Sequence, residues 1–194
     1  MVKLIGLKKI RTAVFISGTG SNLKNLIIFS LKKVSPIEVN LIISNNVKAK
    51  GLKFAKLYKI KKKVYNYDKK RNSEKKILKD LMSNDIKLIC LAGFMKILSK
   101  DFIRKFKGKI LNIHPSLLPK YKGLNTHDRV IQNKEKYSGC TVHLVNSKLD
   151  SGKIILQKKI KLSKKETPLS LQKKILKHEH ILYPRAISKI FVNL

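Results

Sequence analysis

Thr12-Ala13-Val14-Phe15-Ile16-Ser17, followed at once by Gly18-Thr19-Gly20-Ser21-Asn22, decides how this chain is read. The first six residues form an apolar, strand-like run and the next five a small, glycine-bearing loop. Leu23, Leu26, Ile27 and Leu31 then recur at helical spacing. Strand, glycine loop and helix in that order open a parallel sheet, because a parallel connection needs a crossover and a helix supplies it. The rhythm continues outward: strands over 37–43, 63–67, 87–92 and 109–113 alternate with helices over 49–58, 73–82 and 100–106. Beyond Pro119 it changes to a short helix over 127–132, strands over 139–146 and 153–161, and a last helix from Pro168 to about His180. The pattern predicts an α/β fold, a Rossmann-like, mostly parallel sheet with helices on both faces. No Pro/Gly/Ser-rich linker or internal repeat divides the chain, so a single domain over residues 1–194 is expected.

Composition fits that fold. A chain of 194 residues with 43% apolar content can bury a sizeable core. No apolar run is long enough to cross a membrane, and the segment from Met1 to Arg11 is too short and too interrupted by Lys for a secretory signal. The expectation is a cytoplasmic protein without a membrane partner. Cys90 and Cys140 stand 50 residues apart in apolar runs, which suits buried thiols and not a zinc site or disulfide framework. The net charge of +34 invites a nucleic-acid reading. Only five of the 45 basic residues are Arg, however, and the Lys is spread over the whole chain. Base and phosphate readers favour Arg and concentrate their charge, so diffuse lysine reads as solvated surface with no specific nucleic-acid partner.

The chemistry-bearing residues come later. Asn112-Ile113-His114-Pro115-Ser116-Leu117-Leu118-Pro119 is followed, 36 residues after His114, by Asp150. An amide, an imidazole and a carboxylate at predicted strand ends can polarise a carbonyl, hold its oxyanion and move a proton. Asn112 and His114, two apart on an extended segment, point to one side. His114 alone would read as a strand-end histidine with an ordinary hydrogen-bond partner; Asn112 and Asp150 turn the reading towards catalysis. A carboxylate near the imidazole should favour its protonated form. The glycine loop admits two readings: backbone N–H groups at Gly20, Ser21 and Asn22 holding a phosphate, or a tight turn capped by Ser21 or Asn22. His114, His127, His143 and Asp150 lack the spacing of metal ligands, and no metal is expected. His143, alternating with Val142, reads as structural or as a support to the site. Ile175, Ile181 and Leu182 read as the core stripe of the last helix.

Four blocks in order carry a resemblance: Ile16-Ser-Gly-Thr-Gly-Ser-Asn-Leu23, Leu91-Ala-Gly-Phe-Met-Lys-Ile-Leu-Ser99, Asn112 through Tyr121, and Gly139 through Gln157 with Asp150. They resemble the phosphoribosylglycinamide formyltransferase family over residues 12–192. The Asn-x-His and Asp set marks the wider folate-dependent superfamily, and the glycine loop narrows it. The resemblance implies a formyltransferase fold with a phosphate-binding half (about 12–108) and a catalytic and folate half (about 109–194). It also implies transfer of formyl from the co-substrate 10-formyltetrahydrofolate to glycinamide ribonucleotide, with small-molecule partners and a monomer or homodimer. Asn112, His114 and Asp150 would be catalytic. Gly20, Ser21, Asn22 and Glu179 would bind glycinamide ribonucleotide, and Met95, Lys96, Ile97, Leu98 and Asn112 would line the folate site. Lys70, or its neighbour Lys69 or Arg71, would contact the folate as a basic residue. Lys96 stands where Arg is common in the family, and Asn125 where a His is frequent. The expectation excludes the extra N-terminal domain of the related deformylases and the extra C-terminal domain of transfer-RNA formyltransferases.

Overall fold

Both faces of β1 (Ile10–Ile16) are covered: Val14 and Ile16 enter one hydrophobic cluster, Ala13 and Phe15 the other. A strand buried on both sides has no use for polar alternation, which is why its sequence is a continuous apolar run. In the computed structural model, which describes residues 8–191, the chain continues through α1 (Ser21–Leu31), β2 (Ile37–Ser44), α2 (Lys53–Leu57), β3 (Lys61–Val64) and α3 (Lys70–Ser83). Then follow β4 (Leu88–Leu91), α4 (Lys100–Lys105), β5 (Lys109–His114), α5 (Thr126–Gln132), β6 (Tyr137–Leu144), β7 (Ile154–Lys161) and α6 (Pro168–Phe191). Residues 1–7, and the far end of the expected resemblance at Val192, lie outside the described residues.

The strands form one seven-stranded sheet in the order β3-β2-β1-β4-β5-β6-β7. The five strands β1 to β5 run parallel, and β6 and β7 add antiparallel at one edge. Helices α1 and α6 cover one face; α3 and α4 cover the other. The fold is therefore a single α/β domain of the expected kind. Every residue of edge strand β3 is exposed, and three of its four residues are Lys. Charge on an edge discourages pairing with another chain, so part of the diffuse lysine has a plain structural use.

Three expectations need correction. The strand expected over 63–67 ends at Val64, because Tyr67 turns inward, packs edge-on against Phe94 and starts the 3-10 turn Tyr67–Lys69. The last helix does not stop near His180 but runs to Phe191, through Pro184. Proline lacks the N–H that the carbonyl of His180 would accept in a regular helix. The side-chain amide of Asn25 on α1 donates to that carbonyl at 2.6 Å instead. With the orphan satisfied, Tyr183 fully buried just before the proline and Ala186 and Ile187 fully buried beyond it, packing outweighs the local break. Finally, Ile175 and Leu182 are core, but Ile181 is 58% exposed, since it lies one position off the buried stripe.

Candidate active site

The sheet order reverses between β1 and β4, and in such sheets the crevice beyond the strands' C-terminal ends is where ligands bind. Two hydrogen bonds join the loops that leave those strands. The backbone N–H of Ser17 donates to the carbonyl of Gly93 at 3.0 Å, and that of Met95 donates to the Ser17 hydroxyl at 2.8 Å. The segment after β4 is thus hung beside the glycine loop. Next to it opens a cavity of about 650 Å³. Its wall includes Met95, Lys96, Ile97 and Leu98 on one side, and Asn112, His114, His143 and Asp150 on its floor. Met95 and Ile97 leave more than half of their surface exposed there, although both are large and apolar.

At the glycine loop, Gly20 has φ +74°, and a Cβ built on it would stand 2.6 Å from the Cα of Gly51. Position 20 therefore takes glycine for its backbone conformation and for the close approach of a second chain segment. Gly20 is the N-cap of α1, and no side chain caps the helix, so the alternative of a turn capped by Ser21 or Asn22 is not what the loop builds. The first N–H groups of α1 have no acceptors within the helix, and its dipole favours an anion at this end. Behind them stands α6. The hydroxyl of Ser21 lies 2.6 Å from Nε2 of His180, and the Asn22 amide donates to Oε2 of Glu179 at 2.7 Å. Burial pushes the Glu179 carboxyl above its ordinary range, and only the Asn22 bond works against it. Oδ1 of Asn22 is buried and has no partner.

On the cavity floor, antiparallel pairing sets Asn112 of β5 opposite His143 of β6, and His114 opposite Thr141. Paired residues in this register share a face, so two strands deliver an amide and two imidazoles to one place. The carboxylate of Asp150 comes from the loop after β6, where the residue holds φ +44°. Its Oδ2 accepts from the Gly123 N–H at 2.9 Å and lies 3.4 Å from Nδ1 of His114. Its Oδ1 lies 3.3 Å from Nδ2 of Asn112 and 3.6 Å from Nε2 of His143. Despite burial, the nearby His143 ring, the hydrogen bond from the Gly123 N–H and the His114 ring together hold the Asp150 carboxyl below its ordinary range. His114 departs from expectation. Burial lowers its pKa, and the opposing pull of the Tyr121 carbonyl and of Asp150 does not make up the difference. Its Nε2 sits 2.8 Å from that carbonyl, which can only accept, so Nε2 carries hydrogen and Nδ1 faces Asp150.

The structure brings Asn112, His114, Asp150 and residues 95–98 together around one cavity, and Gly20, Ser21, Asn22 and Glu179 together in the adjoining corner. It does not bring Lys70 there. Lys70 opens α3, and neither it, Lys69 nor Arg71 lines the cavity. Sequence reading passed over several groups that hold the site: Gly51 under Gly20, His180 on Ser21, Ser17 under Met95, and the Tyr121 carbonyl and Gly123 N–H around His114 and Asp150. His180 had a signal, as the residue next to Glu179; the backbone groups had none. The thiols of Cys90 and Cys140 are pushed up to about 12 by burial and lie in the core. Among the described residues no group of three or more His, Cys, Asp or Glu is arranged to hold a metal ion, and no helix is long and apolar enough to cross a membrane.

Comparison with known proteins matches residues 10–187 to a family described as formyl transferase. The trifunctional purine biosynthetic protein adenosine-3 of Homo sapiens is 40% identical over 186 residues, which cover 94% of this chain and 18% of that protein. The phosphoribosylglycinamide formyltransferase of Haemophilus influenzae is 40% identical over 184 residues, covering 93% of this chain and 86% of that one. The chain thus spans under a fifth of the trifunctional relative and most of the bacterial one. Among solved structures, phosphoribosylglycinamide formyltransferase from Brucella melitensis superposes with a TM-score of 0.89 at 40% identity, covering 94% of this chain and 96% of that chain. The enzyme of the same name from Anaplasma phagocytophilum gives a TM-score of 0.90 at 38% identity, covering 96% and 88%.

Proposed function

Because this chain belongs to the formyl transferase family, we propose that it moves a formyl group from 10-formyltetrahydrofolate to the amine of glycinamide ribonucleotide, a step of purine synthesis. Family membership implies a folate-derived formyl donor; the identity of that donor and of the acceptor is our reading. The observation that carries it is the meeting of Asn112 and His114 at the two oxygens of Asp150, 3.3 and 3.4 Å away, on the floor of a partly apolar cavity. A flat, partly apolar donor suits walls such as Met95, Ile97 and Leu98, with the exposed backbone of that segment offering hydrogen bonds.

Transfer to an amine passes through a tetrahedral oxyanion, so the site needs a donor to the oxygen and a destination for the amine proton. Asn112 lines the cavity and is assigned the oxyanion. The ionised Asp150, with His114 at its other oxygen, is assigned the proton. Burial opposes a charge on His114 while the Tyr121 carbonyl and Asp150 favour it, and its Nδ1, facing Asp150, is assigned to share the proton with that carboxylate. The acceptor's phosphate is assigned to the N–H groups at Gly20, Ser21 and Asn22, and its amine to the side of Glu179. A basic contact to the donor is assigned to Lys70, or to its neighbour Lys69 or Arg71, outside the cavity lining. We place the protein in the cytoplasm with small-molecule partners, as a monomer or homodimer.

One assay tests the whole reading: release of the deformylated folate, followed with and without glycinamide ribonucleotide. Release that depends on the ribonucleotide supports transfer. Equal release without it would mean hydrolysis of the donor, and none in either case would remove the assignment.

A further inference from the structure

The loop between β5 and α5 supplies the two main-chain groups that hold His114 and Asp150. The Tyr121 carbonyl accepts from Nε2 of His114 at 2.8 Å, and two residues on the Gly123 N–H donates to Oδ2 of Asp150 at 2.9 Å. Its backbone is unusual: Tyr121, Gly123 and Asn125 have φ of +56°, +78° and +54°. At a residue with a side chain, such as Tyr121, that conformation persists only where the surroundings fix it. The carbonyls of the loop also need donors. That of Lys120 takes the Ser116 hydroxyl at 2.6 Å, and that of Gly123 lies 3.3 Å from the Thr126 hydroxyl. Those of Lys122 and Leu124 share one nitrogen, Nη1 of Arg129 on α5, at 2.7 and 3.4 Å. The same guanidinium stands 5.4 Å from the centre of the Tyr121 ring.

We propose that Arg129 is a positioning residue for the reaction, setting Asp150 and His114 through the backbone of residues 121–124. The decisive link is a single peptide unit. The carbonyl of Lys122 and the N–H of Gly123 belong to the same planar group, so Arg129 grips one end of it and Asp150 the other. Fixing the carbonyl fixes the direction in which the N–H points. A cation at the carbonyl also polarises the unit, which strengthens the N–H as a donor to the carboxylate. The neighbouring peptide carries the Tyr121 carbonyl to His114, and the guanidinium over the Tyr121 ring holds that residue in its strained conformation. A planar group with several donors can meet two carbonyls and a ring face together; a lysine ammonium has no such face. Asp128 lines the cavity and Arg129 does not, so the latter acts only through the loop. The inference rests on the formyl-transfer reading for what His114 and Asp150 do, though not for how the loop is held.

The test compares Arg129→Ala and Arg129→Lys with the wild type in the full chain, by steady-state kinetics and by NMR hydrogen exchange without ligands. Arg129→Ala should lose up to about a hundredfold in kcat, the scale of a misplacement of about 1 Å, with both KM values little changed. Arg129→Lys keeps the cation but not the plane and should recover only part of that loss. In both variants the Gly123 amide and the His114 ring N–H should exchange faster, while the core amides of β1 and β5 keep their protection. Wild-type turnover in the Ala variant overturns the proposal, as does a loss of turnover in which Gly123 exchanges as in the wild type. Full recovery in the Lys variant would leave charge alone as the cause and overturns it too. Should the Ala variant fail to fold, the Lys variant decides by the same two readings. If the wild-type chain shows no formyl transfer, the proposed function fails, while Gly123 exchange separately judges whether Arg129 sets the loop.

Discussion

At the glycine-loop corner the groups assigned to a ligand are main-chain N–H groups fixed by the contact of Gly20 with Gly51, whereas on the cavity floor they are side chains whose charges depend on one another. The corner is held by shape and the floor by electrostatics. Each should therefore fail in its own way: the corner when volume is added, the floor when charge or a hydrogen is removed at constant volume.

The largest effect is expected on the floor. Asp150→Asn should lower kcat by about 10²–10⁴-fold, the range for a positioned proton acceptor, with the fold intact by circular dichroism. The same variant probes His114 by NMR. In the wild type His114 should titrate below a free imidazole, and in Asp150→Asn lower still, since the carboxylate opposes the dominant effect of burial. The sign for stability follows. A histidine held below its unfolded pKa contributes stability above that unfolded value, and this is lost as pH falls through the folded one. Asn112→Ala should cost about 10²–10³-fold in kcat with little change in either KM, and unchanged turnover would take Asn112 out of the oxyanion role.

The corner comes next. Gly20→Ala adds one methyl at φ +74° against the backbone of Gly51, so it should destabilise by roughly 1–3 kcal/mol for the backbone strain alone. It should raise KM for glycinamide ribonucleotide while leaving folate affinity close to that of the wild type. Stability measured by denaturant and the two KM values separate these effects; equal loss of both ligands would contradict the division between corner and floor.

Smaller effects sharpen it further. Glu179 is a buried carboxyl with a raised pKa, so its contribution to stability is intact at acid pH and declines as pH rises through the folded value. Glu179→Gln should therefore raise the midpoint of thermal unfolding at neutral and alkaline pH, by about 2–4 °C for each kcal/mol gained in a domain of this size. The gain should vanish in acid, and KM for the ribonucleotide should rise. Asn25→Leu, which strips the donor from the His180 carbonyl, should cost about 1 kcal/mol. In Pro184→Ala the helix can supply its own N–H, so Asn25→Leu should cost less there, and a double-mutant cycle reads that difference.

Much of the site was legible before the fold. Asn112 and His114 are two apart on one strand, and the Gly-x-Gly-Ser-Asn loop ends a strand and starts a helix; these are local facts carried by adjacent residues. What was missed acts across long separations. Asn22 meets Glu179 and Ser21 meets His180 over more than 150 residues, and His114 is bonded by a carbonyl that belongs to Tyr121 whatever its side chain. A backbone acceptor leaves no mark in sequence. The downward pull of burial on His114 was missed for the same reason: a neighbouring carboxylate can be guessed from a motif, but burial is a property of everything packed around the ring.

By itself, the sequence determined the order of strands and helices, the position of the glycine loop and the chemical character of the residues at each strand end. Periodicity and turn chemistry act within a few residues, so they survive in a one-dimensional reading. Only the tertiary structure decided that α6 passes through Pro184, that Gly20 needs Gly51, and that Asp150 stands between two imidazoles with Asn112 at its side. Each of these depends on a partner brought from far along the chain. The free energy that settles it, in burial, hydrogen-bond satisfaction and charge coupling, exists only once those surfaces meet.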